Sequence, residues 1–260
     1  MCCARLLFFA LVATFTSLAH AQLIARTGIG ASPAALTPIR DQFRTDLGGG
    51  AVAGANGSFG GLRREINWDG VPATFATPNN LPGDFFNVNS LRGILLSTAG
   101  TGFQVSAAVG DPSAQPTNFA NLNASYASSF VVFSSQRLFT SVGSNVFDVI
   151  FYVPGTSIPA TVTGFGAVFT DVDQASTTRI QFFDRNNVSL GSVNVPPSSS
   201  ALSFTGAFTG DGQSTIGRVR VTLGNAAIGA TDNGSTMDVV VADDFIYGEP
   251  TDRIFVDNFE

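Results

Sequence analysis

About a dozen short runs of strand-like sequence, each closed by Gly, Pro, Asn, Asp or Ser, follow one another from Leu62 to Gly248. That spacing most constrains the fold, because runs this short cannot form long helices and their closing residues make tight turns. The runs predict an all-β chain: a single antiparallel jelly-roll-like β-sandwich over residues 62–250. Its centre is TVTGFGAVFTDVDQASTTRIQFFD, Thr161 to Asp184. Phe165, Ala167 and Phe169 alternate onto one face, as do Ile180 and Phe182 after the turn, which places both sets in the core. Val219, Val221 and Leu223 alternate with Arg218, Arg220 and Thr222, so that run should have one wet face. Asp184 to Asn187 reads as a hairpin loop. DFFNV and SSFVVFS read as further strands, and LRREINWDGVP as an extended run through Asp69.

The ends are expected to be different in kind. Arg5, the apolar run Leu6–Leu18 and the small-x-small site Ala19-His20-Ala21 have the order of a secretory signal peptide, residues 1–21, too short in its apolar part to span a bilayer comfortably. Residues 22–61 should form an N-terminal segment with one short amphipathic helix. Thr37 is its expected cap and Pro38 its first residue, while Ile39, Phe43 and Leu47 form the stripe that packs on a sheet edge. A Gly-rich loop follows, and residues 251–260 form a tail. No integral membrane segment is expected after cleavage, so the chain should be exported to the periplasm, the outer surface or the medium.

Loss of the signal would change the available chemistry. The only cysteines, Cys2 and Cys3, and the only histidine, His20, lie within it, and the chain has no lysine. What remains is twelve arginines against nineteen carboxylates, a formal charge of −7, with no electrostatic reason to bind nucleic acid. Ser-His-Asp and Cys-His catalysis lack their imidazole, a P-loop or Schiff base lacks its lysine, and zinc or haem sites lack nitrogen and sulfur ligands. Carboxylate chemistry survives. Glu65 and Asp69, however, would stand about 13 Å apart along a regular strand, beyond the roughly 5–9.5 Å of a glycosidase pair. A Tyr/Arg lyase site using Tyr126, Tyr152 or Tyr247 also remains open.

Calcium suits the remaining side chains, since it takes several hard oxygen ligands. Asp171 and Asp173 would point the same way from an extended backbone, and Asp243 and Asp244 would each offer one carboxylate. The same aspartates could cap turns by accepting backbone N–H bonds, so both readings stand. Asp232-Asn233-Gly234 reads as a turn only. Trp68, the one tryptophan, is expected in the core beside Ile66 rather than as an exposed sugar platform.

At REINWDGVP, TGFGAVFTDVD, QFFDRNNVSLG and VVVADDFIYGEP the chain resembles a group of uncharacterised exported bacterial proteins with jelly-roll sandwiches of the lectin and carbohydrate-binding kind. The resemblance implies a structural Ca²⁺ held by an acidic residue of the first strand, Asp69 or Glu65, and one of the last, Asp243 or Asp244. The tail TDRIFVDNFE resembles C-terminal ends of the Ile-Phe-x-x-Gly-Phe-Glu type found on exported proteins of some Gram-negative bacteria, with Asn258 in place of the glycine.

Three functions are therefore expected to compete: a non-catalytic sandwich binding a glycan or cell-surface component with a structural Ca²⁺, a polysaccharide hydrolase or lyase, and a purely structural surface protein. An open groove lined by Glu65 or a Tyr/Arg pair would favour the enzyme, and a filled concave face the binder.

Overall fold

The computed structural model describes residues 22–49, 57 and 62–252. The expected signal peptide, most of the Gly-rich loop and the end of the tail lie outside these residues. Two antiparallel sheets face each other, as expected of an all-β sandwich. The seven-stranded sheet runs β1 (Leu23–Gly30), β10 (Ser198–Thr209), β7 (Gly164–Val172), β12 (Val241–Gly248), β5 (Phe139–Val142) and β4 (Gly102–Val105), with β2 (Arg63–Ile66) also paired to β12. The five-stranded sheet runs β3 (Ile94–Thr98), β6 (Val146–Phe151), β11 (Ile216–Thr222), β8 (Arg179–Asp184) and β9 (Ser189–Asn194). From β3 onward the chain passes repeatedly between the sheets, as in a jelly-roll-like sandwich.

The core lies between the inner faces. Phe165, Ala167 and Phe169 of β7 and Phe245 and Tyr247 of β12 meet Phe147, Val149 and Phe151 of β6, Ile180 and Phe182 of β8, and Val219 and Val221 of β11. Trp68 is in this core as expected, its ring stacked on Phe139 at 4.1 Å between centroids and its Nε1 donating to the Asp243 carbonyl at 2.8 Å. Arg220 stays exposed, with its guanidinium on Asp148. In the β8–β9 hairpin, Asp184 Oδ1 accepts from the Asn186 and Val188 amides.

The seven-stranded sheet is buried on its outer face too, which explains why no residue of β7 or β12 is exposed. Helix α1 (Pro33–Asp46) covers that face, with Leu36, Phe43 and Leu47 packed on Val168, Leu202, Phe204 and Ile246. Gly166 and Gly206 are opposite each other in the β7–β10 ladder, beneath the Phe43 ring. A Cβ on them would lie 2.9 and 2.8 Å from that ring, so only glycine admits the helix at this depth.

Several expectations need correction. The sandwich begins with β1, not at residue 62: Leu23–Gly30 pairs in full register with β10. Helix α1 starts one turn earlier than expected, capped by Ser32 with Pro33 in its first turn, so Pro38 lies inside it. It covers a sheet face rather than an edge. DFFNV forms a helical turn, α2 (Phe85–Val88), because Phe85 and Phe86 both turn inward, which a strand cannot do with neighbours. SSFVVFS contains the end of a second helical turn, α3 (Tyr126–Ser129), and then irregular backbone. The extended run at residue 62 stops at Ile66, and Trp68 has a φ of 65°. No helix among the described residues is long and apolar enough to cross a membrane.

Candidate functional site

Three carboxylates converge at one end of β7. Asp171 lies opposite a bulge in β10, where the register moves from Ser198–Val172 to Leu202–Thr170. It takes a left-handed φ of 63°, a conformation Asp tolerates better than most residues. Its Oδ1 accepts the Ser200 amide at 2.6 Å. Asp173 follows in the loop leaving β7, and Asp232 arrives from the loop preceding β12. Carboxylate oxygens of all three lie within 4.8 Å of one another. Burial pushes the Asp171 carboxyl up to about 7, with the charges of Asp173 and Asp232 adding to it and the Ser200 amide opposing. Burial also raises Asp232, against the amides of Gly234 and Val239, and Asp173 raises it further. Oxygen ligands that repel one another and are partly desolvated fit a hard cation, so this triad could hold a metal ion.

Sequence reasoning therefore found two of the three. Asp232 does form the expected turn, its Oδ1 accepting the Gly234 amide at 3.0 Å, yet it belongs to the triad as well. Asp238, unremarked in the sequence, is fully buried and fixes the neighbouring loop, accepting the Asp173 and Gln174 amides and the Thr177 hydroxyl.

Asp69, Asp243 and Asp244 are not brought to the triad. Asp69 Oδ1 accepts the amides of Gln136 and Arg137, and burial raises its pKa. Asp243 Oδ2 accepts the Phe133 amide at 2.7 Å, and the Ser134 hydroxyl lies 3.1 Å from Asp243 and 2.7 Å from Asp244. These three aspartates tie the chain before β5 to the sheet by long-range bonds rather than by capping local turns. Burial, then the charge of Asp244, lifts Asp243 well above the usual carboxylate range.

Asp243 and Asp244 form a bulge at which β12 changes partners. Ala242 pairs with Phe139 of β5, whereas Phe245 to Gly248 pair with β2. Bulges re-aim side chains and recur beside functional sites. A cleft of about 780 Å³ opens here, within the usual range for a small-ligand site. Arg40 and Arg44 of α1, Glu65, Asn67, Asn89, Ser134 and Asp244 give it polar groups, and Trp68, Phe75 and Phe86 give it aromatic walls.

This open groove lined by Glu65 is the arrangement expected of the enzyme. Its chemistry argues otherwise. Glu65 Oε1 accepts from Arg44 Nε at 2.7 Å and from Arg63, and Oε2 from Arg44 at 2.5 Å. A carboxylate whose two oxygens already take donors from two guanidiniums is poorly placed to pass a proton to a substrate. Tyr126 and Tyr247 offer no better: the Tyr126 hydroxyl donates to the Ala230 carbonyl at 2.6 Å, and the Tyr247 hydroxyl to that of Arg92 at 3.0 Å. Both rings are buried, and burial raises both pKa values, away from use as a base.

The chain matches no known protein-family model and no curated protein sequence.

Proposed function

We propose that this chain is an exported, non-catalytic binding module that takes a glycan or another cell-surface component in the cleft beside the β12 bulge, with a structural Ca²⁺ at Asp171, Asp173 and Asp232. The cleft supports this reading: the half-buried Phe75 ring suits the apolar face of a sugar, Asn67, Asn89 and Ser134 suit its hydroxyls, and Glu65 is neutralised by arginine. Calcium is preferred over zinc or copper because the triad is all oxygen, and over magnesium because carboxylates from the end of β7 and from the loop before β12 give an adaptable shell rather than a strict octahedron. The purified chain should be retained by at least one polysaccharide in pull-down and glycan-array experiments. Retention no greater than on an inert matrix, across neutral and acidic glycans, would remove the ligand half of the proposal.

One observation keeps the hydrolase reading alive. Asp244 lines the same cleft as Glu65, and burial raises its carboxyl toward the protonated form a general acid needs. Release of reducing ends from a polysaccharide by the wild type, abolished in Asp244→Asn, would replace the binding proposal with the enzyme.

A further inference from the structure

Arg40 differs from Arg44, the other arginine of α1, in that its terminal nitrogens make no hydrogen bond among the described residues. Its Nε is anchored by Asp41 Oδ1 at 2.7 Å, and its guanidinium lies over the Phe133 ring, 5.0 Å from the centroid. One terminal nitrogen stands 3.9 Å from Asp244 Oδ2, close enough for an ion pair but beyond hydrogen-bond reach. Arg44, by contrast, has Nε and both terminal nitrogens on Glu65 and Asp41. Arg40 therefore lines the cleft with its guanidinium held in place through Nε and the Phe133 ring, while its terminal nitrogens make no hydrogen bond among the described residues.

The charge around it points the same way. The chain as a whole is acidic, with a formal charge of −6, but Arg40 and Arg44 bring two guanidiniums to this cleft beside Glu65 and Asp244, with Asp41 shared between the two arginines. Glu65 is already shared by Arg44 and Arg63. Burial, followed by the charge of Arg44, lowers the pKa of Arg40, with Asp41 and Asp244 opposing.

Building on the glycan-binding proposal, we infer that the cleft selects acidic sugars, with the carboxylate of a uronic acid residue forked by the terminal nitrogens of Arg40. The geometry suits a planar carboxylate, which takes two parallel N–H bonds from one guanidinium. Half-buried Phe75 and the side chains of Asn67 and Asn89 remain for the rest of the sugar.

The test pairs each acid with its own neutral form. Galacturonate, glucuronate and mannuronate oligosaccharides are titrated calorimetrically into the full chain beside their methyl esters, which keep the sugar and remove the charge. At least one acid form should bind about 10- to 100-fold more tightly than its ester, the effect of one charge-assisted fork. Arg40→Gln should abolish that preference and Arg40→Lys, which keeps the charge but not the fork, should recover only part of it, while Arg185→Gln on the opposite sheet's hairpin should change nothing. Acid and ester binding equally well, or Arg40→Gln retaining the preference, would overturn the inference and leave the glycan reading standing. Binding of no saccharide at all, acidic or neutral, would overturn both.

Discussion

Asp171→Asn offers the sharpest test of the triad, because it removes one charge and leaves the backbone contact. Asn tolerates the positive φ that Asp171 adopts, and its side-chain oxygen can still accept the Ser200 amide. Without metal, the Asp171 carboxyl titrates at about 7 rather than the ordinary 3.8. Its folded pKa is raised, so between those values the folded chain holds more protons than the unfolded one. Stability must then fall as pH rises through that window. At about 1.4 kcal/mol per pH unit, the full loss reaches about 4 kcal/mol by pH 8. In chelator at pH 8, Asp171→Asn should thus be more stable than wild type by up to that amount, on the order of 10 °C in melting temperature for a domain this size. At pH 4 the two should nearly coincide. Ca²⁺ changes the comparison, because only the wild type keeps the full site. At a hundred times Kd the wild type gains about 2.7 kcal/mol, and at a thousand times about 4.1, closing the gap. Differential scanning fluorimetry across pH 4–8, in chelator and in millimolar Ca²⁺, reads all four corners. Identical melting of the two proteins in chelator at pH 8, or a gap that ignores Ca²⁺, would refute the argument and leave these aspartates as turn residues.

Asp243→Asn should leave the Ca²⁺ response intact, since Asp243 holds the Phe133 amide rather than a metal; loss of the response would return the metal to the β12 bulge. Phe169→Ala should cost roughly 3–5 kcal/mol in denaturant melts, as its ring is fully buried between the sheets. Gly206→Ala should destabilise by about 1–3 kcal/mol, because its Cβ would meet Phe43 at 2.8 Å; wild-type melting would mean that α1 does not sit on this face. Glu249→Gln should cost about 3–5 kcal/mol, because it leaves the fully buried Arg64 without the carboxylate its Nε and a terminal nitrogen bond at 2.6 and 2.8 Å.

What was legible in the sequence was local. Alternation placed Phe165, Phe169, Ile180 and Phe182 correctly because a strand reports its two faces two residues at a time. Strand β1 escaped because it is an edge: LIARTGIG exposes residues on both faces, and no periodicity marks its pairing. The helical turn at Phe85–Val88 escaped because four residues cannot establish a period. The triad was half legible for a similar reason. Asp171 and Asp173 are neighbours in sequence, but Asp232 comes from a loop some sixty residues on and reaches them only through the pairing of β12 with β7. Its turn signal was real and hid its second role. The cleft was illegible as a volume, although each of its charged residues was visible as a letter.

The β12 bulge is the exception, since its cause is written in the sequence even though its consequence is not. Val240 and Ala242 face the core on even positions, whereas Phe245 and Tyr247 face it on odd ones. A regular strand cannot change phase, because a shift of one residue turns every side chain to the opposite face. One extra residue must therefore be absorbed between Ala242 and Phe245, where the sequence reads Asp243-Asp244. Two acidic residues at an absorbed position need donors, and the Phe133 amide and the Ser134 hydroxyl supply them, pinning the segment that leads into β5. On the far side of the bulge β12 turns to β2 for its partner, carrying Glu65 opposite Ile246 and under Arg44. The change of partner leaves the sheet edge unpaired at the two aspartates, and there the cleft opens. The same phase break thus buries a carboxyl pair, brings the arginines of α1 over it and sets Arg40 in the cleft lining 3.9 Å from Asp244.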